Sequence, residues 1–79
     1  MVAELKMPKY GSMMTEGRVE KWYRNEGDPV TKGEAVLAIS TEKLNNDVDS
    51  TVTGVIIKIV AQPGDQVPVA GVLALIETN

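Results

Sequence analysis

The chain is built from short runs of alternating apolar and polar residues separated by glycine, proline, asparagine and aspartate. Glu4-Leu5-Lys6-Met7 alternates and predicts a first strand that Pro8 closes. Residues 9–15 form a loop around Gly11 that carries Met13 and Met14. Gly17 opens a second strand over 18–23, with Val19 and Trp22 as its inward residues. Their spacing breaks strict alternation and predicts a bulge between them. Asn25-Glu26-Gly27-Asp28-Pro29 is a turn, Val30 begins a short segment, and Lys32-Gly33-Glu34 turns again. Residues 35–40 read as strand, and so does the stretch around Val48, whose neighbours Asp47 and Asp49 mark a wet face. By the same parity Asn46 faces the side of Val48, Leu37 and Ile39. Between these two strands Thr41 to Asn45 are turn-prone, which puts Lys43 at or beside the tip of a hairpin at 41–46.

The second half of the chain repeats the first. Raised by 37, residues 16–41 lie on 53–78 without a gap and with seven identities in 26 positions. Gly17 meets Gly54, Lys21 meets Lys58, Gly27-Asp28 meets Gly64-Asp65, Val30 meets Val67, Ile39 meets Ile76 and Thr41 meets Thr78. Val19 and Trp22 meet Ile56 and Ile59, so the bulge spacing recurs. A repeat of this kind outranks residue-by-residue assignment. It predicts one domain over 1–79 whose half-repeats, about 16–41 and 53–78, pack around an approximate two-fold axis. That axis would exchange the Lys43 hairpin with the place where the chain ends lie side by side. Lys43 would then project from the end of the domain opposite its attachment points.

Composition narrows the chemistry. At 79 residues the chain is near the size where one core is marginally sufficient. Its 43% hydrophobic content is ordinary, and with only Trp22, Tyr10 and Tyr23 as aromatics the core must come from Val, Ile and Leu, which favour sheet. There is no cysteine and no histidine, so thiolate nucleophile, disulfide, the usual neutral-pH base and the commonest metal ligand are all missing. A net charge of −3 with scattered acids argues against nucleic acid. Met1-Val2-Ala3 runs straight into Glu4 and Lys6 without the pattern of an export signal, and no apolar run is long enough to span a membrane. A carrier or binding module is expected. Taken locally, a lysine in a polar turn is simply a solvated residue; the repeat around it is what singles out Lys43.

Met7-Pro8-Lys9, Met14-Thr15-Glu16-Gly17, Lys21-Trp22, Glu26-Gly27-Asp28-Pro29-Val30, Lys32-Gly33-Glu34, Thr41-Glu42-Lys43, Gly54 and Gly64-Asp65 together resemble the lipoyl domains of 2-oxo acid dehydrogenase complexes. The resemblance covers essentially the whole chain. It implies an all-β fold, a flattened barrel or sandwich of two four-stranded antiparallel sheets. It also implies that Lys43 carries lipoic acid in amide linkage, on a non-catalytic domain whose expected parent chain is a dihydrolipoamide acyltransferase, with a dehydrogenase subunit bearing an extra lipoyl domain as the other candidate. An amide on the lysine removes its charge and leaves a long flexible arm, and the dithiolane brings the reactive sulfurs that the chain lacks.

The partners implied are a lipoate ligase or lipoyl transferase that loads Lys43, a thiamine-dependent 2-oxo acid decarboxylase, an acyltransferase core and a dihydrolipoyl dehydrogenase. A monomer in the cytoplasm of a bacterium or in a mitochondrial matrix is expected. Glu42 and Leu44 flank the lysine and are candidates for recognition, although the family pattern has an aspartate and a small residue there. Tyr10, Ser12, Met13 and Met14 match the loop through which partners recognise the domain. Within that loop the methionines fit either contact surface or gap-filling in the core. Asp47 and Asp49 fit either ligase steering or solvated hairpin charges. Gly27, Gly54 and Gly64 are expected as turn glycines at positive φ. Two alternatives remain beside the lipoyl carrier. One is a biotin-carrier domain, whose family flanks its lysine with methionines; the other is an unmodified β-sandwich adaptor.

Overall fold

The computed structural model describes residues 1–42 and 44–78. Eight strands follow in order: β1 (Val2–Lys6), β2 (Glu16–Trp22), β3 (Pro29–Val30), β4 (Ala35–Ser40), β5 (Asn45–Asp49), β6 (Gly54–Ile59), β7 (Gln66–Pro68) and β8 (Val72–Glu77). They form two four-stranded antiparallel sheets, ordered β1-β8-β6-β3 and β5-β4-β2-β7. No strand belongs to both sheets, so the all-β architecture is a sandwich and not a closed barrel.

Register carries the repeat seen in the sequence. Arg18 pairs with Ser40, Val19 with Ile39, Lys21 with Ala38 and Trp22 with Leu37. The same pairs raised by 37 are Val55 with Glu77, Ile56 with Ile76, Lys58 with Leu75 and Ile59 with Ala74. Both ladders slip at one point, between Val19 and Lys21 and between Ile56 and Lys58, where the Val19/Trp22 spacing predicted a bulge. The short pairs correspond too: Gly17–Val67 and Arg18–Gln66 on one sheet, Val30–Gly54 and Pro29–Val55 on the other. In β4 and β8 a second slip, opposite β5 and β1, lets two successive residues point inward. Hence Val36 and Leu37 are both buried, as are Leu73 and Ala74.

The core lies between the sheets. Leu5, Ile56, Leu73 and Ile76 from one face Val19, Leu37, Ile39 and Val48 from the other, with Met7 filling beside them. Each of the larger aliphatic side chains, once fully buried, contributes roughly 1.5–3 kcal/mol. Trp22 packs against this core from the side, and its indole N–H donates to the Ala61 carbonyl at 2.9 Å. The expected first strand shifts: it runs from Val2 to Lys6, and Met7 lies beyond it as a core residue whose N–H donates to Gly71 O at 2.8 Å.

One glycine expectation is corrected. Gly27 and Gly64 sit at φ 91° and 95°, but Gly54 does not. Gly54 is needed for close approach instead, since a Cβ there would overlap the Glu77 carbonyl oxygen and come within 2.9 Å of Ile76 Cγ2. The other left-handed positions are Gly33 (φ 89°) and Ala70 (φ 72°), which are 37 residues apart and hold the same turn in each half. Gly33 N–H donates to Ser50 O at 2.8 Å, and Ala70 N–H donates to Met7 O at 2.9 Å.

The two ends of the sandwich differ in what they carry. Thr41 N–H donates to Leu44 O at 2.7 Å and closes the β4–β5 turn; Thr78 N–H donates to Met1 O at 2.7 Å beside the termini. These bonds occupy matching places in the two sheets. β5 runs away from its turn to Asp49, and only residues 50–53 link it to Gly54, which lies at the Glu77 end of the other sheet. So short a link puts the far end of β5 next to the termini, and therefore the β4–β5 turn at the opposite end of the domain.

Candidate functional site

The candidate site is the turn between β4 and β5 together with the loop that crosses beside it. Ser40 and Asn45 form the last pair of the ladder. Thr41 closes the four intervening residues in two ways: its N–H donates to Leu44 O, and its hydroxyl accepts from Leu44 N–H at 3.2 Å. Thr41 is thus consumed in holding the turn. Its partner Leu44 leaves a side chain 49% exposed, and Glu42 is exposed as well. Lys43, the predicted attachment residue, lies outside the described residues. Asn46 is half-buried across from Ile39, on the face shared with Val48, as strand parity requires.

Three of the four loop residues predicted from the sequence come to this turn. Ser12, Met13 and Met14 line one open groove with Thr41, Glu42 and Leu44, and Glu16, Arg18 and Gln66 line it as well. The ambiguity over the methionine pair resolves into a division of labour. Met14 packs against the core, and Met13 stands 89% exposed. Tyr10 does not line the groove. Its hydroxyl donates to the backbone carbonyl of Asp47 at 2.8 Å, and its N–H donates to Met14 Sδ at 3.2 Å. Desolvation, then the Asp49 and Asp47 carboxylates, push the Tyr10 phenol above its ordinary pKa, so it remains a donor across neutral pH.

The acids near the turn differ from one another. The Asp47 carboxylate accepts a hydrogen bond from Tyr23 OH at 2.7 Å, which raises the Tyr23 phenol above its usual value. Asp47 is therefore hydrogen-bonded through one carboxylate oxygen while remaining exposed. The role of Tyr23 had no signal in the linear sequence, because its partner is on a strand 24 positions away. The same holds for Arg24, whose guanidinium donates to Glu34 Oε2 at 2.9 Å and, with the Thr31 N–H, pulls the Glu34 carboxyl below its normal pKa.

A family of biotin- and lipoyl-bearing domains, described as biotin-requiring enzyme, matches residues 3–76. The chain belongs to that family. It is 43% identical over 72 residues to the dihydrolipoyllysine-residue acetyltransferase component of the acetoin cleaving system of Pseudomonas putida, covering 91% of this chain and 20% of the relative. It is 40% identical over 76 residues to the dihydrolipoyllysine-residue acetyltransferase component of the Corynebacterium glutamicum pyruvate dehydrogenase complex, covering 96% of this chain and 11% of the relative. The chain thus spans a fifth or less of these relatives. Among solved structures, the lipoyl domain of the Azotobacter vinelandii 2-oxoglutarate dehydrogenase complex superposes with a TM-score of 0.76 at 28% identity, covering 96% of both chains. Kluyveromyces lactis urea carboxylase superposes with a TM-score of 0.81 at 27% identity, over 98% of this chain and 6% of that one. Within its family the chain is a lipoyl-type domain. No helix of the described residues is long and apolar enough to cross a membrane.

Proposed function

We propose that Lys43 is the attachment residue and that this domain carries a lipoyl group on it between the active sites of a 2-oxo acid or acetoin dehydrogenase complex. The observation that carries the reading is the Thr41–Leu44 turn at the end of the sandwich away from the termini. A group attached between Glu42 and Leu44 would meet partner enzymes while linkers leave from the other end. The chemistry of the residues fits this cargo: Lys43 offers a primary amine, and Thr41 uses its hydrogen-bonding groups to fix the turn. When bound, the lipoyl group supplies the redox-active sulfurs and the acyl acceptor, which a chain without cysteine cannot supply.

The domain itself contributes placement. Glu42 and Leu44 on one side and Ser12 and Met13 on the other are the surfaces a loading or acylating enzyme would touch on reaching Lys43. Tethering to a parent chain, which we take to be an acyltransferase, keeps the arm at high effective concentration near each partner. A lipoate ligase or lipoyl transferase would load it. A thiamine-dependent decarboxylase, the acyltransferase core and a dihydrolipoyl dehydrogenase would use it. The biotin-carrier alternative is weaker, because Lys43 lacks flanking methionines and the curated relatives are dihydrolipoyllysine-residue acetyltransferase components.

The complex served can be determined by loading the domain and offering it to acetoin, pyruvate, 2-oxoglutarate and branched-chain decarboxylase components, each with its substrate. Acylation of the loaded domain by one component far faster than by the others, and its absence from the unloaded domain, would name the complex. No acylation by any of them would refute the carrier reading.

A further inference from the structure

The loop beside the turn is not laid loosely over the sandwich. Tyr10 N–H donates to Met14 Sδ, and Met14 N–H donates to Gly11 O at 3.1 Å, so residues 10–14 close on themselves as one compact turn. Met14 anchors that turn to the core from below. Its only lateral attachment toward the hairpin among the described side-chain hydrogen bonds is the Tyr10 hydroxyl on the Asp47 carbonyl. Asp47 is on β5, an edge strand, three residues beyond Leu44. One hydrogen bond therefore joins the loop that presents Met13 to the strand that follows Leu44, and these two exposed residues line the same groove.

The second tyrosine supplies an internal comparison. Tyr23 OH also ends on Asp47, but on its side chain. It lies in a shallow recess with Glu20, Ala38 and Asn45 that contains none of residues 9–15. Both phenols donate to the same residue of the same strand, yet only one of them holds the loop.

We infer that Tyr10 is a positioning residue: its hydrogen bond to Asp47 fixes the first loop against the lysine hairpin and so sets Met13 and Leu44 as one contact surface for enzymes acting at Lys43. This rests on the carrier function proposed above. A mere structural strut would change stability alone. A positioning residue changes how strongly an enzyme engages the domain while leaving the step at the lysine intact.

The test compares Tyr10→Phe with Tyr23→Phe, each of which deletes one hydroxyl and keeps the ring. Two readouts are taken: amide hydrogen exchange by NMR on the unloaded domain, and the kinetics of loading by a lipoate–protein ligase with lipoate and ATP. For Tyr10→Phe, faster exchange across residues 9–14 is expected, with a KM for the domain raised roughly 3- to 10-fold, the span of one net hydrogen bond, and kcat kept. For Tyr23→Phe, KM should stay at the parent value. Unchanged loop exchange in Tyr10→Phe overturns the inference, and so does a loosened loop with an unchanged KM. If the parent domain accepts no lipoate while its loop exchange responds to Tyr10→Phe, the carrier reading fails and with it the contact role, leaving the bond as an architectural one.

Discussion

Gly17 and Gly54 occupy the same place in the two halves, and the structure predicts opposite tolerance for a methyl group at each. At Gly54 an added Cβ would overlap the Glu77 carbonyl oxygen and lie 2.9 Å from Ile76 Cγ2 and 3.0 Å from the Glu77 carbonyl carbon. Two of those atoms are backbone of β8, whose pairing with β6 at Val55–Glu77 would have to open to make room. Overpacking of this kind costs typically about 1–3 kcal/mol, and with no side chain able to rotate away the upper end applies. The entropy an alanine removes from the unfolded chain returns about 0.4–1 kcal/mol, leaving a net loss of about 2–2.6 kcal/mol for Gly54→Ala. In a domain of this size that lowers the melting temperature by roughly 8–21 °C. At Gly17 the nearest atoms are Met7 Cε and Sδ at 3.1 Å and Ile39 Cδ1 at 3.4 Å, all ends of side chains. There the methyl group can be accommodated by a small movement of a flexible thioether, and Gly17→Ala should change stability by about 1 kcal/mol or less. Urea unfolding followed through Trp22 fluorescence measures both. Equal losses, or a larger loss at Gly17, would refute the reasoning.

Other perturbations follow from named contacts. Trp22→Ala removes a ring packed on the core and the hydrogen bond to Ala61, and should cost about 3 kcal/mol, read as a lower midpoint in thermal unfolding. Ala70→Gly relieves a side chain held at φ 72° and should stabilise by about 0.5–1 kcal/mol, because the left-handed penalty exceeds the added entropy of the unfolded chain; a lower melting temperature would contradict this. Glu34, with its pKa lowered first by the Arg24 hydrogen bond and then by the Thr31 N–H, adds stability that is present above the ordinary carboxylate pKa and is lost as pH falls through the lowered value. Melting followed from pH 7 to pH 3 should therefore fall less steeply in Arg24→Ala than in the parent, and identical slopes would remove the pair from the account.

Much of this fold is written in period and repeat. Residues 35–40 carry an unbroken apolar run and form β4 with those bounds. The Val19/Trp22 spacing encodes the bulge, and the offset of 37 predicts which pairs recur in the second sheet. What escapes is long-range contact between irregular segments. Gly54 looks like a turn glycine because its constraint is the backbone of Glu77, distant in sequence. Met13 and Met14 cannot be told apart by pattern, since a loop has no period to say which of two neighbours faces the core. Tyr10 reads as loop surface, yet its hydroxyl is spent on a strand 37 residues away. The hairpin turn is legible because Thr41 and Asn45 bound it; the groove shared with the first loop is visible only after folding.

The central claim is that Lys43 bears the lipoyl group. Its most direct test is intact mass with peptide mapping after co-expression with a lipoate ligase and added lipoate, run beside Lys43→Ala. The account predicts a single lipoyl increment, mapped to Lys43 and absent from the variant. A folded domain that gains no lipoyl group, or gains it at another lysine, or gains biotin instead, would contradict it.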